Sequence, residues 1–447
     1  MVSELPGGWA TCSVGDIFDI VGGGTPPAAD AGNFSNAGTA HAWLTPADLS
    51  GYKKKLISHG ARDLSAKGMA ASSAKLMPAG SVLFTSRAPI GYVAIADGEI
   101  STNQGFKSFI LPDDFDPSYV YYYLKSIRNL AESRGTGTTF KELSGAATKE
   151  LPFVIAPLAE QKRIAQKLDA LLAQVDTLKA RIDAIPALLK RFRASVLSAA
   201  CRDSDSAGLS GRGVLQIPLR EAISEPLRNG KSVTDGDGLP VLRLSSLKAS
   251  GIDFRDSKKG DWKELDASRF LVKTGDFLVS RGNGSKDLVG RGGLVPDCNE
   301  PMAFPDTMIR VRADNSKLLG EFLCLVWNDH GIRMQIESLA RTTAGIWKIS
   351  QGDLEAVRIP LPSVAKQKEI VRRVEQLFAY ADQLETKVAA AQQRINALTQ
   401  SLLAKAFRGE LVPQDPAAEP ASVLLDRIRA QRAATPKPKR GRKAATS

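Results

Sequence analysis

Apolar side chains return at alternating steps of four and three through residues 159–203, at Ile164, Leu168, Leu171, Val175, Leu178, Ile182, Ile185, Leu189, Phe192 and Val196. The same steps recur 206 positions later, at Ile370, Val374, Leu377, Ala381, Leu384, Val388, Ala391, Ile395, Leu398 and Leu402. A four-three period held over this length requires a helix whose stripe faces another helix, because a lone helix drifts off a strict seven-residue repeat. Two such helices in one chain predict one intramolecular pair. Roughly 40 residues at about 1.5 Å each would make a rod of about 60 Å. The flanks repeat as well: Gln161-Lys162 answers Gln367-Lys368, and Ser195-Val196-Leu197 answers Ser401-Leu402-Leu403. This matching register favours a duplication over two unrelated amphipathic helices.

The pattern ahead of each helix is mixed. Residues 1–157 carry strand-like runs at Ser81–Ser86, Gly91–Ala96 and Phe106–Leu111, an aromatic helical stretch at Tyr119–Leu130, and a polar loop at Gly135–Thr139. Residues 214–357 repeat this plan. There Leu239–Leu244 answers Ala42–Thr45, and Gly275–Arg281 answers Gly80–Arg87. Phe322–Trp327 answers the aromatic helix, and the polar loop Arg341–Gly345 answers the Thr136 loop. The predicted order is a mixed domain over 1–157, a long helix over 158–203, a Ser/Gly linker over 204–213, a second domain over 214–357 and a second long helix over 358–411. A segment with a short helix follows over 412–434, then a basic, disordered tail over 435–447. Pro186 lies inside the first helix and predicts a kink.

The net charge of +12 is concentrated at the C-terminus. Residues 427–447 hold eight basic side chains and no acidic one, which leaves +4 for the rest of the chain. Residues 1–158 carry 13 basic and 14 acidic side chains, and residues 204–356 carry 21 of each. Any binding of nucleic acid by these domains must therefore come from local clustering of Lys and Arg. Cys12, Cys201, Cys298 and Cys324 are scattered and form no CxxC pair, so neither a zinc site nor a disulfide framework is expected. No secretory signal or membrane-spanning run is apparent, which makes a cytoplasmic location the expectation.

Catalytic constellations are not found. The Gly22–Pro27 turn lacks the Lys-Ser/Thr ending of a phosphate-binding loop, and Thr25-Pro26-Pro27-Ala28 is a poor match to an amino-methyltransferase motif. Pro296-Asp297 and Pro305-Asp306 have no acid-any-Lys partner of a magnesium nuclease nearby, and His41, His59 and His330 stand alone. The residues read as those of a non-enzyme.

The order domain, helix, domain, helix resembles the specificity subunit of type I restriction-modification systems. The residues carrying the resemblance are Leu5-Pro6-Gly7-Gly8-Trp9, Gly22-Gly23-Gly24-Thr25-Pro26, Thr85–Gly91, Pro157–Ile164, Leu361–Ile370, Ser195–Ala200 and Phe407–Gln414. Lys366 departs from the family's usual Glu, which stands at Glu160. The resemblance implies an α+β fold: two mixed α/β target recognition domains, each followed by a long helix, with the helices paired as an antiparallel coiled coil of pseudo-two-fold symmetry. It further implies that each domain reads one half of a split double-stranded DNA target across an unread spacer set by the helices. Implied partners are two copies of a methyltransferase subunit and two of a motor-nuclease restriction subunit. S-adenosylmethionine, ATP and Mg would reside on those partners, with no cofactor or metal in this chain and no membrane contact.

Under that reading the DNA-contact candidates in the first domain are Thr25, Arg87, Gln104, Lys107, Thr138, Thr139 and Lys141. In the second they are Arg243, Ser245, Arg281, Asn283, Lys286, Arg341, Thr342, Thr343 and Lys348. Arg suits guanine, Asn and Gln suit adenine, and Ser, Thr and Lys often hold phosphate. Lys53-Lys54-Lys55 would grip phosphate or form a solvated face. The near-neutral domains keep one alternative of another class, an interaction scaffold that holds proteins through its coiled coil and does not bind DNA.

Overall fold

The computed structural model describes residues 5–87, 89–137, 141–203, 215–248, 251–263, 265–343 and 345–434. The 204–213 linker, the 435–447 tail, Thr138 and Thr139 lie outside the described residues. The chain divides into two compact units, Met1–Arg181 with Ala391–Ser447, and Ile182–Ala390. The division falls inside both long helices, Leu158–Asp203 and Val364–Phe407. Each unit thus holds one mixed domain and half of each helix. The first helix is assigned without interruption through Pro186.

In the first unit a five-stranded sheet runs in the order Asp19–Gly22, Lys107–Ile110, Val82–Phe84, Val93–Ala96, Leu56–Ile57. A second sheet joins Phe34–Asn36, Arg62–Leu64, His41–Leu44 and Ser101–Thr102. The aromatic stretch forms two helices, Pro117–Ser126 and Arg128–Ser133, rather than the single one expected. Asp116 caps the first by accepting from the Tyr119 amide at 2.9 Å, and Pro117 stands at the position where a missing amide costs nothing. This helix carries Tyr119 and Tyr123, which meet Phe407 edge-on at 5.3 and 5.0 Å between ring centroids. The start of the first long helix (Ile164, Leu168, Leu172) shares that core with the end of the second (Leu402, Leu403, Ala406, Phe407). The helix Ala421–Ala434 closes over the same core through Leu424, Leu425 and Ile428.

The second unit repeats the first four strands of the larger sheet as Arg228–Asn229, Met308–Val311, Phe277–Ser280 and Gly292–Leu294. Its core joins Val196, Leu197 and Ala200, near the end of the first long helix, to Ile370, Val371, Val374 and Phe378, near the start of the second. In both units the helices therefore run antiparallel. Arg193 forks across the pair to Asp382 and Glu385, at 2.5 Å each. The loop expected at Arg341–Gly345 is instead part of a β-hairpin, Arg341–Thr343 paired with Ile346–Lys348.

Burial along the expected seam is uneven. Ile164, Leu168, Val175, Leu189, Ile370, Val374, Ala381, Val388 and Ile395 are buried, but Leu178 and Leu398 are 50% and 44% exposed. A straight helix drifts about 20° per heptad from a strict repeat. Near the second helix's end the buried stripe has moved to Leu403, Ala406 and Phe407.

One glutamine locks each domain to its helix. Gln161, fully buried, accepts from the Asp116 amide at 3.0 Å and donates to the Ala156 carbonyl at 2.8 Å. Gln367, equally buried, accepts from the Leu319 amide at 2.8 Å and donates to the Lys317 and Pro362 carbonyls at 2.6 and 2.9 Å. Beside Gln161, Glu160 is buried and accepts from the Trp9 indole at 3.1 Å. Its counterpart Lys366 is not buried and pairs with Glu369 at 3.0 Å.

Candidate nucleic-acid interface

The two domains are built on one set of backbone hydrogen bonds. In the first, Gly80 donates to Ala96, Ala96 to Ser81, Gly91 to Thr85, Ser86 to Gly105 and Leu143 to Ser86, at 2.8–2.9 Å. In the second, Gly275 donates to Val295, Val295 to Asp276, Gly290 to Ser280, Arg281 to Thr307 and Ile349 to Arg281, at 2.8–3.1 Å. This correspondence places Arg281 where the first domain has Ser86, and Gly282 where it has Arg87. The sequence match of Arg281 to Arg87 is therefore off by one residue, because it set seven residues against eight.

The frame includes a close crossing of two chain segments. A Cβ on Gly23 would lie 2.0 Å from the Thr102 carbonyl oxygen, and one on Gly230 would lie 2.2 Å from that of Phe304. Only glycine fits there. One residue on, Gly24 donates to the Thr102 carbonyl at 2.9 Å and Lys231 to that of Phe304 at 3.0 Å. At the next position the Thr25 hydroxyl donates to Gln104 Oε1 at 2.6 Å, and the Ser232 hydroxyl donates to Asp306 Oδ1. All four of these side-chain partners are exposed. Sequence reading selected Thr25 and Gln104 but missed Ser232 and Asp306. The available signal was Gly-any-Thr/Ser, present as Gly23-Gly24-Thr25 and Gly230-Lys231-Ser232.

In the first domain the structure brings Arg87 and Lys107 to one carboxylate, Glu142, at 3.7 and 3.9 Å. Lys141, adjacent in sequence, is exposed. The Ser86 to Gly105 hydrogen bond ties the neighbours of Arg87 and Gln104 together, so Thr25, Gln104, Arg87 and Lys107 gather at one end of the larger sheet. Lys55 is not free to grip phosphate: it binds both oxygens of Asp169 at 2.8 Å, where the Tyr122 hydroxyl also donates. Burial, and then that hydrogen bond, raise the Tyr122 pKa and hold it as a donor.

In the second domain seven candidates meet around one small sheet. Gly282 and Asn283 pair with Lys348 and Trp347, while Arg341 and Thr342 pair with the same two residues from the other side. Thr343 ends the outer strand, opposite Ile346. Lys286 lies over the Trp347 ring at 5.0 Å, and Arg281 immediately precedes the Gly282–Asn283 edge strand. Arg243 and Ser245 stand apart from this hairpin, exposed at the short turn Leu244–Ser246. The Ser245 hydroxyl holds Asp256, and its hydrogen bond, followed by that of Lys248, lowers the Asp256 pKa.

Among the described residues no group of three His, Cys, Asp or Glu side chains is placed to hold a metal ion, and Cys12, Cys298 and Cys324 are free thiols. No described helix is long and apolar enough to cross a membrane.

One hydrogen-bonded frame used twice, with different side chains at corresponding positions, defines a duplicated two-domain protein. The family model described as the type I restriction modification DNA specificity domain matches residues 6–187 and 231–391, and the chain belongs to that family of DNA-target-recognising specificity subunits. It is 39% identical to the EcoKI specificity subunit of Escherichia coli strain K12, covering 73% of this chain and 74% of that one. It is 33% identical to the StySPI specificity subunit of Salmonella potsdam over 99% of both chains. Among solved structures, the HsdS subunit from Thermoanaerobacter tengcongensis matches with a TM-score of 0.60 at 19% identity, over 91% of this chain and 98% of that one. A chain from a type I R-M system matches with a TM-score of 0.66 at 18% identity, over 91% and 99%. The latter two likenesses concern the fold.

Proposed function

We propose that each mixed domain reads one half of a split, asymmetric duplex target, and that the paired helices act as the ruler that fixes the unread spacer. The observation that carries this reading is the conserved frame with divergent mouths: Thr25, Gln104 and Arg87 in one domain, Ser232, Asp306 and Gly282 at the same places in the other. Two readers of one build and different side chains suit two unlike half-sites. The antiparallel pairing within each unit supports a two-fold arrangement of the helices. The chain has no catalytic centre of its own in this reading. Its helices recruit two methyltransferase subunits, which flip and modify adenine with S-adenosylmethionine, and two restriction subunits, which use ATP and Mg. The assembly acts on DNA in the cytoplasm.

The test is duplex binding by the full chain together with the subunits that co-purify with it. With six to ten phosphate contacts, affinity falls about 10³–10⁵-fold between 50 and 200 mM salt, and selection from random duplexes returns a split motif with a fixed gap. Salt-insensitive association with protein and no duplex preference would overturn the reading in favour of an interaction scaffold.

A further inference from the structure

We infer that Gln104 and Asp306 are equivalent base-reading residues, one per domain, each aimed by the hydroxyl two positions past the obligatory glycine. Asp306 thereby selects cytosine where Gln104 selects adenine. The inference rests on the function proposed above and goes further in naming the residues that set one position of each half-site.

The geometry leaves little freedom at these positions. Gly23 and Gly230 press their segments against the carbonyls of Thr102 and Phe304, and the next amide in each segment bonds to the same carbonyl. Thr25 and Ser232 are thus delivered to the same place over residues 104 and 306. In the first domain the hydroxyl donates to Gln104 Oε1. With the amide in this orientation, one lone pair and both amide hydrogens remain for a ligand. An acceptor beside a donor is the complement of adenine's N6 amine and N7 in the major groove.

In the second domain the Ser232 hydroxyl occupies Asp306 Oδ1, and a carboxylate only accepts. Among the described residues no cation pairs with Asp306. An exposed, unpaired carboxylate is repelled by phosphates, so on a DNA-reading surface its favourable partner is a base amine. Cytosine offers N4 alone, whereas adenine sets the acceptor N7 beside its amine, and guanine and thymine present acceptors. Lys231, adjacent to Ser232 and exposed, is available to a nearby phosphate and offsets part of that repulsion.

The experiment is duplex selection with the full chain and its co-purifying subunits, for the wild type, Asp306→Gln, Gln104→Asp and Ser232→Ala. A set of synthetic duplexes carrying each base pair at the affected position then gives affinities. The expected wild-type motif has a cytosine in one half-site that Asp306→Gln converts to adenine, and an adenine in the other that Gln104→Asp converts to cytosine. Each change in preference is about tenfold or more, the range of a good bidentate contact, and all other positions are untouched. Ser232→Ala leaves Asp306 in place but unaimed, so it weakens discrimination severalfold at that one position without altering the salt slope. Motifs unchanged in both reciprocal variants, or changed at many positions, overturn the inference while the wild-type split motif stands. A wild type that returns no split motif removes the proposed function and this inference with it.

Discussion

Replacing Gln161 by Leu keeps the volume of a buried side chain and removes two hydrogen bonds. The amide bridges the Asp116 N–H, at the cap of the aromatic helix, to the Ala156 carbonyl at the entry of the long helix. Both backbone groups lose their partner in a site closed to water, at about 1–3 kcal/mol each. The variant no longer desolvates an amide, which returns about 1 kcal/mol, so the net loss is about 1–5 kcal/mol. For a unit of roughly 200 residues this corresponds to a fall in its transition temperature of about 3–15 °C. Gln367→Leu orphans three backbone groups in the other unit, the Leu319 amide and the Lys317 and Pro362 carbonyls, and costs more. Differential scanning calorimetry resolves the two variants by which transition moves. Shifts below about 1 °C in both would show that these amides do not fasten the domains to their helices, and would refute the reasoning.

Glu160 is buried, and burial raises its pKa against the opposing pull of the Trp9 hydrogen bond. With its folded value above the unfolded value of about 4.3, its stabilising contribution is complete below that pH and is lost as pH rises through the folded pKa. Glu160→Gln should therefore flatten this part of the stability-pH curve and raise thermal stability at neutral pH, measured as the difference in Tm from wild type across pH 4–8. Arg193→Met removes an exposed fork to Asp382 and Glu385. It should cost less than about 1 kcal/mol at low salt and nothing measurable in 1 M salt, by chemical denaturation. Inserting one heptad into both long helices adds about 10 Å, so the unread spacer should grow by about three base pairs in the selected motif; an unchanged spacer would sink the ruler.

The helices were legible because their signal is local and periodic: along each helix every apolar seam position lies three or four residues from the next. Leu178 and Leu398 were misplaced because the repeat describes an ideal supercoil and the real stripe wanders. The strands around Val82 and Val93 were readable from their apolar runs, but the mouth of each domain was not. Ser232 meets Asp306 across 74 positions, and Lys55 meets Asp169 across 114. No window of sequence joins such pairs. Three glycines precede Thr25, whereas the equivalent turn in the second domain keeps only the indispensable Gly230. The off-by-one match of Arg281 to Arg87 had the same origin, since side-chain likeness outweighed a backbone register that only hydrogen bonds reveal.

The duplication also separates what stability demands from what recognition can change. Gly23 and Gly230 are held by a steric limit of the backbone, and Gln161 and Gln367 by buried groups that need both ends of an amide. These positions match between the halves. Glu160 and Lys366 differ where burial differs, one closed against Trp9 and the other not buried and paired with Glu369. Gln104 and Asp306 differ where neither supports the core, because both are exposed and each needs from the fold only the hydroxyl that aims it. A substitution at such a position changes the donors and acceptors offered to a ligand while the energy of the frame stays within the few tenths of a kcal/mol typical of surface changes. Under the proposed function, specificity is therefore free to vary in one half without refolding it.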